Sequence, residues 1–558
     1  MSKRIDLIAG LAALSLCVVA SCLLGRIPIV YGLSELPTGY SQAQQSKASP
    51  AEPGPERQLT PQERRGRAIY LRGESSSGRE IKSLIGDLEV SAGIIHCAGC
   101  HGRRGEGKIE GGVNAGSLTW ANLTKSYGHT HPTGRKHGPF NDASFTMAVV
   151  HGIDPDQNRL IGTMPRYRMA PEDMSDLIAY LKRIEFDQDP GLTAESIEIG
   201  VPLPTSGALA EVGVAMREVL TAYFDELNLS GGIYNRKIKL HFTAGGDGSM
   251  SATFASARLL ARQGQAFAFV GGLSAGADKD MVAVASDEEV PFVGPATLLP
   301  QTGKPPNRYV FYLMPGAAEQ ARALVNFADS GLGLKRVRAA IVYAEGDLTT
   351  GAGTAAVEQA RQRGWEVVVD MPYAAKAFDA TQRAQQLKAQ QVEALFFFGD
   401  GAQTTSLLTA ATGLDWKPKI FLLGTLSSKE LANAIPAVFK EKIFLAFPTI
   451  PADVTAAGRS EYHALLAKYK LAPRHTASRL AALAAAKTLV EGLKRAGADV
   501  TREELVSALE KLYDFETGLT PRLIFGPNRR IGALGAYIVT VNLDTKEFAA
   551  VSGWVTAN

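Results

Sequence analysis

Cys97, Cys100 and His101 stand in the run CAGCH, and their types and spacing describe one chemistry. Two thiols separated by two residues can each add across one vinyl group of a porphyrin. The histidine that follows at once is then held against the iron as its proximal ligand. A bare CxxC would equally suit a redox disulfide or half of a structural zinc site; the appended His101 favours covalently attached haem. The chain holds four cysteines, and the other two, Cys17 and Cys22, lie in an apolar leader. A structural zinc site normally needs four ligands, and no second pair in the body supplies them. Only one CxxCH occurs, which argues against a di-haem peroxidase.

An iron that carries electrons needs a sixth ligand, most often a methionine sulfur. Met164 is the best candidate, in GTMPRY, where Pro165 stiffens the loop; Met147, Met169 and His151 are its rivals. The plainer reading of Met164 is an ordinary core methionine. With both axial positions filled, the iron has no open site for catalysis, so an electron carrier is expected rather than an enzyme. Three more imidazoles, His129, His131 and His137, crowd into GHTHPTGRKHG. They lack a helical or strand spacing, and the segment reads as a solvated loop near the haem edge. Arg166 and Arg168 flank the methionine loop, placed for haem propionates or a docking partner.

The elements that must position these residues are helices. RRGRAIYLRG, at 64–73, reads as a first amphipathic helix. A closing helix begins near Pro171, with Glu172 and Asp173 in its first turn and Met174, Leu177, Ile178, Leu181 and Ile184 on one face. Across 62–185, the pieces CAGCHGRRGEG, GIDPDQNRLIGTMPRY and MSDLIAYL resemble a class I c-type cytochrome. That resemblance implies a small all-α domain holding one covalent, low-spin haem c between His101 and Met164.

Residues 1–25 join a short basic start, MSKR, to an apolar stretch about long enough to span a bilayer, which needs ~20 residues. Three fates fit this segment: a cleaved signal peptide, a retained membrane anchor, or lipidation at Cys22, since Val19-Ala20-Ser21-Cys22 resembles a lipobox. All three put the body outside the cytoplasm, in the periplasm. Residues 26–61 are rich in Pro, Ser, Gln and Ala and read as a flexible linker. A net charge of +3 with 21% charged residues gives no sign of a nucleic-acid surface.

A turn-rich joint, DQDPGLTA, leads into a different texture from residue 195 onward. Apolar runs such as SIEIGVPLP, KIKLHFTAG, AFAFVGG, VPFVG, RAAIVYAEG and ALFFFGD alternate with helix-length segments. Continuously apolar strands between helices predict parallel sheets covered on both faces. About 360 residues exceed what one such sheet usually holds, so two lobes are expected. Ligands in these folds bind beyond the carboxyl ends of strands. Thr205 and Ser206, then GGLSAG with Ser274 and Ala275, then Pro295, Ala296 and Thr297 occupy such ends; the bland alternative is helix capping.

Residues 195–558 resemble the type I periplasmic binding proteins, most closely in pattern those for branched-chain amino acids. GGIYNRKIKL and VGGLSAG with VPFVGPAT carry the likeness. The resemblance implies lobe 1 at about 195–314 and 448–517 and lobe 2 at about 315–447 and 521–558. Crossings are then expected near Met314, Phe447 and 517–521, with hydroxyls and amides at Ser274, Pro295, Ala296 and Thr297 holding a ligand carboxylate. The second lobe departs from the pattern. Thr350 stands where the family usually has an aromatic, and Thr425 or Leu426 where it usually has an acid for the ammonium group; Asp347 or Asp400 are the available substitutes. An unpaired ammonium costs a few kcal/mol, so a carboxylate or other small organic ligand fits better than an ordinary amino acid.

Two functions follow from different classes. One is an exported haem c protein that transfers single electrons to a periplasmic redox partner and senses a small ligand. The other is a substrate-binding protein serving an ABC permease for an amino acid or other small carboxylate, with the haem domain as an accessory. A third reading makes the lobes a protein-interaction platform.

Overall fold

The computed structural model describes residues 59–558, apart from 87, 111–112, 132, 188, 244–248, 304, 335–336, 366 and 428–429. The leader at 1–25, with Cys17 and Cys22, and nearly all of the 26–61 linker lie outside the described residues. No described helix is long and apolar enough to cross a membrane. Two compact units divide between residues 188 and 189.

The first unit opens with helix Pro61–Arg72. Thr60 caps it, its hydroxyl accepting from Glu63 N at 3.2 Å while the Glu63 carboxylate accepts from Thr60 N at 2.6 Å. This helix crosses the closing helix Pro171–Leu181 at Gly66, where an added Cβ would lie 1.9 Å from the Asp176 carbonyl oxygen. Only a residue without a side chain permits that approach. Arg65 clamps the crossing with a bidentate pair to Asp176 at 2.7 and 2.9 Å. Ile69, Tyr70, Phe145, Leu177, Leu181 and Ile184 form the core beneath it.

The unit is helical at its centre but carries strands that helical periodicity does not reveal. Lys82–Ile85 pairs with both Leu88–Ser91 and Arg166–Arg168 in an antiparallel sheet. Segments of three or four residues, half polar, are too short to show alternation. The expectation of a solvated loop at 129–137 is corrected. His129–Thr130 and Lys136–His137 pair as a hairpin, and His137 is buried.

The second unit holds two sheets. The first has five parallel strands in the order Val310–Phe311, Phe292–Val293, Ala268–Val270, Ser196–Val201, Lys237–Phe242. The second runs Val367–Tyr373, Ala339–Ala344, Ala394–Phe398, Lys419–Leu423 and Ile443–Phe447 in parallel. Two antiparallel strands, Gly535–Asn542 and Glu547–Thr556, complete it. Every residue of Ala394–Phe398 is buried, as a strand covered on both faces requires.

The chain leaves the first core after Leu313 and enters the second at Ala317; it returns between Ala446 and Val454. The third crossing lies further on than 517–521. Leu519, Leu523, Phe525, Ile531 and Ala533 still belong to the first core, and Ala536 is the first residue in the second. The physical reason is a tight turn. Thr517 Oγ1 accepts from the amides of Leu519 and Thr520, both at 3.1 Å, and folds TGLTP back on itself.

Candidate functional site

A cavity of ≈ 440 Å³ opens in the first unit, and Cys97, Cys100, His101 and Met164 all line it. Cys97–His101 is a single helical turn, so positions one, four and five share a face. Gly102 ends it at φ 80°, and a Cβ there would come within 2.3 Å of the Glu106 carboxylate. The turn is held from both sides. Tyr70 donates to the Gly102 carbonyl at 2.6 Å, and Tyr167 donates to the Ile95 carbonyl at 3.0 Å. Burial raises both phenols well above their ordinary range and pushes the Cys97 thiol up to about 12.

His101 is buried, with Nδ1 2.7 Å from the Gly116 carbonyl oxygen. A carbonyl only accepts, so Nδ1 carries the proton and Nε2 keeps its lone pair. That is the arrangement expected of a metal-binding imidazole. Burial lowers the His101 pKa and favours the neutral, ligating form. Met164 packs half-buried against the core. The Arg166 guanidinium donates to the Met164 carbonyl and, at 3.1 Å, to that of Leu160. Of the four sixth-ligand candidates only Met164 lines the cavity; Met147, His151 and Met169 do not. Two thiols free of disulfide, one imidazole with an available nitrogen and one thioether on a mostly apolar wall fit a haem.

Arg166 and Arg168 do not line the cavity. Arg166 braces the methionine loop, and Arg168 pairs with Glu89 at 3.0 Å on the surface. In their place the wall carries His129, His131, Arg135 and His137, from the segment expected near the haem edge but as a solvated loop.

In the second unit the bridge between Leu273 and Ala296 brings two strand-end loops side by side. Ser274 is buried, its amide donating to the Ala296 carbonyl at 3.2 Å, and Ala275 takes a left-handed φ of 42°. Pro295 is buried; Ala296 and Thr297 are half-buried. Thr297 donates its hydroxyl to the buried Asp278 carboxylate and accepts from Leu299 N at 2.8 Å. Sequence reading missed Asp278, whose only signal was an acid beside GGLSAG.

Thr205 and Ser206 lie in the loop before helix Ala210–Leu229 and do not cap it; Leu209 holds the cap position. On the second lobe Thr350 is exposed in helix Asp347–Gln362, where its hydroxyl accepts from Gly346 N at 3.3 Å. Asp400 caps helix Gly401–Gly413, accepting from Gln403 N at 2.8 Å. Asp347 is exposed in the first turn of its helix. Thr425 Oγ1 is buried and has no hydrogen-bond partner among the described residues.

Residues 196–547 match the family model for periplasmic binding protein, and residues 92–185 match that for cytochrome c. The chain belongs to the periplasmic binding protein family and carries a cytochrome c domain ahead of that α/β module. A putative branched-chain amino acid ABC transporter from Rhodospirillum rubrum is similar at 19% identity and a TM-score of 0.52, covering 63% of this chain and 99% of that one. An ABC transporter substrate-binding protein from Aeropyrum pernix is similar at 14% identity and a TM-score of 0.50, covering 65% and 96%. A branched-chain amino acid ABC transporter from Thermus thermophilus with bound valine is similar at 17% identity and a TM-score of 0.49, covering 65% and 96%. The first two likenesses show the fold. No curated protein matches the chain. The cytochrome c domain implies haem c, and both domains are of non-catalytic kinds. Membership of the periplasmic binding protein family suggests an extracytoplasmic location.

Proposed function

We propose that the chain is an exported one-haem electron carrier joined to a receptor for a small organic ligand, with working units at 62–185 and 195–558. Cys97 and Cys100 would hold the haem as thioethers, each S–H having added across one vinyl group. His101 and Met164 would hold its iron. The observation that carries this reading is the convergence of these four residues on one cavity. When bound, the haem supplies reversible one-electron exchange at its iron. The chain's own residues present a mostly apolar wall to that centre and fix the tautomer of His101 through Gly116.

Met164→Ala tests the axial assignment in the full-length protein. The reduced absorption spectrum is expected to change to that of an open or water-ligated iron, and an unchanged spectrum would eliminate Met164. In the receptor, Thr205, Ser206, Ser274, Ala275, Pro295, Ala296 and Thr297 form the first-lobe side of the ligand site and Thr350 the second-lobe side. The missing acid at 425–426 favours a ligand without a free ammonium group, such as a carboxylate. The turn-rich joint at 187–194 motivates coupling between ligand binding and electron transfer. A panel of carboxylates and alcohols, titrated while following thermal stability and haem potential, tests that coupling. Ligand stabilisation with an unmoved potential would remove the coupling and leave the receptor standing. The uptake reading rests on the family match over 196–547. Capture of a permease by the ligand-loaded protein, with no electron transfer to any soluble redox protein, would make it the better account.

A further inference from the structure

The haem cavity is apolar over most of its wall and basic at one place. His129, His131, Arg135 and His137 line it there, with ring centroids 4.6–6.0 Å apart among the three imidazoles. Arg135 is fixed by Asp154, whose fully buried carboxylate lies 2.5 Å from one guanidinium nitrogen. Although burial opposes it, hydrogen bonds from Asn158 and Arg135 hold that carboxyl below its ordinary range, so it stays anionic. The other end of the guanidinium lies 2.7 Å from His131 Nε2. Arginine only donates, so His131 accepts and is neutral. Burial, then the Arg135 charge, pushes its pKa down to about 4.

His137 Nδ1 lies 2.7 Å from the Gly138 carbonyl and donates to it. Its Nε2 stands 3.1 Å from His131 Nε2. His131 Nε2 has one in-plane lone pair, which the Arg135 guanidinium takes, so Arg135 is the cation that the cluster holds on the cavity wall. A porphyrin face asks for no such wall. A porphyrin's carboxylate edge does, because a buried carboxylate without donors is strongly disfavoured.

We propose that Arg135 seats the carboxylate edge of the haem, flanked on the cavity wall by His131 and His137, a role for which the sequence had offered Arg166 and Arg168. The assignment rests on the haem reading above. Arg135 donates to the carboxylates through N–H groups that Asp154 and His131 do not use, and those two partners hold its guanidinium in place.

The test uses the full-length haem-loaded protein with 13C-labelled haem carboxylates, in Arg135→Gln, Arg135→Lys and, as a control, Arg168→Gln. Redox-difference infrared spectra are expected to show shifted labelled carboxylate bands in the first two variants and not in the third. Loss of positive charge beside the haem also lowers the midpoint potential in Arg135→Gln. If Arg135→Gln does not fold, because Asp154 loses its partner, Arg135→Lys, which keeps that charge and changes the donor geometry, decides through its carboxylate bands. Unmoved labelled bands and potential in the folded variants would overturn the assignment. So would stoichiometric zinc or copper bound by these histidines. A wild-type chain carrying no haem would instead remove the cytochrome reading, and this seat with it.

Discussion

The two units of this chain collect their site residues in opposite ways. In the first, three of four key residues sit within five consecutive positions, and one helical turn brings them to a common face. In the second, the candidate ligand residues are scattered from Thr205 to Thr350, on strand-end loops and the first turn of one helix, whose neighbours are set by sheet order. Chemistry that forms covalent bonds to a cofactor needs a local motif, because the attachment points must be close before the rest of the chain is in place. Recognition in a cleft needs only that distant strand ends finish near one another. The first kind of site is legible in a string of letters and the second is not.

Three variants test how far that contrast holds. The largest effect is expected from replacing both Cys97 and Cys100 by serine. Haem should be lost completely from the unfolded chain, as read by the absorbance of denatured protein, while the melting transition of the two-lobed unit stays where it was. Retained haem would break the claim that the local motif does the attaching.

A smaller effect should arise from Arg502→Met in the second unit. The Arg502 guanidinium lies within 2.8–3.1 Å of the Ala266, Phe267 and Glu288 carbonyls, so its removal leaves three acceptors without that donor. A loss of about 3 kcal/mol is expected, seen by calorimetry as a lower transition for this unit and an unshifted haem unit. A matching fall in the haem unit would show that the two are energetically fused.

The smallest concerns acid. Burial opposes ionisation of Glu198, but Ser196, His241 and Lys239 outweigh it and hold the carboxyl below its ordinary range. Its contribution is therefore present above the ordinary carboxylate pKa, about 4.3, and is lost as pH falls through the lowered folded value. Glu198→Gln should flatten the acid limb of the stability curve of the second unit by less than about 1 kcal/mol. Chemical denaturation across pH 3 to 6, roughly the range in which carboxylates titrate, checks it. An unchanged slope would mean the pair contributes nothing.

Much of the architecture could be read in advance, for reasons that differ by element. Strands such as Ala394–Phe398 are apolar at every position, so they announce a sheet covered on both faces. The closing helix carries its core stripe at helical spacing. The third crossing lies beyond the expected 517–521 because Thr517 and Pro521 look like a hinge in sequence, yet in the folded chain the Thr517 hydroxyl makes a local turn. The histidine hairpin was read as solvated because two-residue strands leave no periodicity and Gly, Pro and Lys dominate its composition. Asp278 was missed for a related reason. An acid at the start of a helix is ordinary, and its hold on Thr297 depends on two loops meeting across a sheet.

The position of that third crossing has a consequence in time. The first unit is one uninterrupted stretch and has all its parts once residue 188 has emerged. The first lobe of the second unit draws its core from Ile197 to Leu313 and again from Val454 to Ala533. It cannot finish until residue 533 has been delivered. Assembly is thus ordered by topology, with the cytochrome domain free to mature while most of its companion is still an open chain.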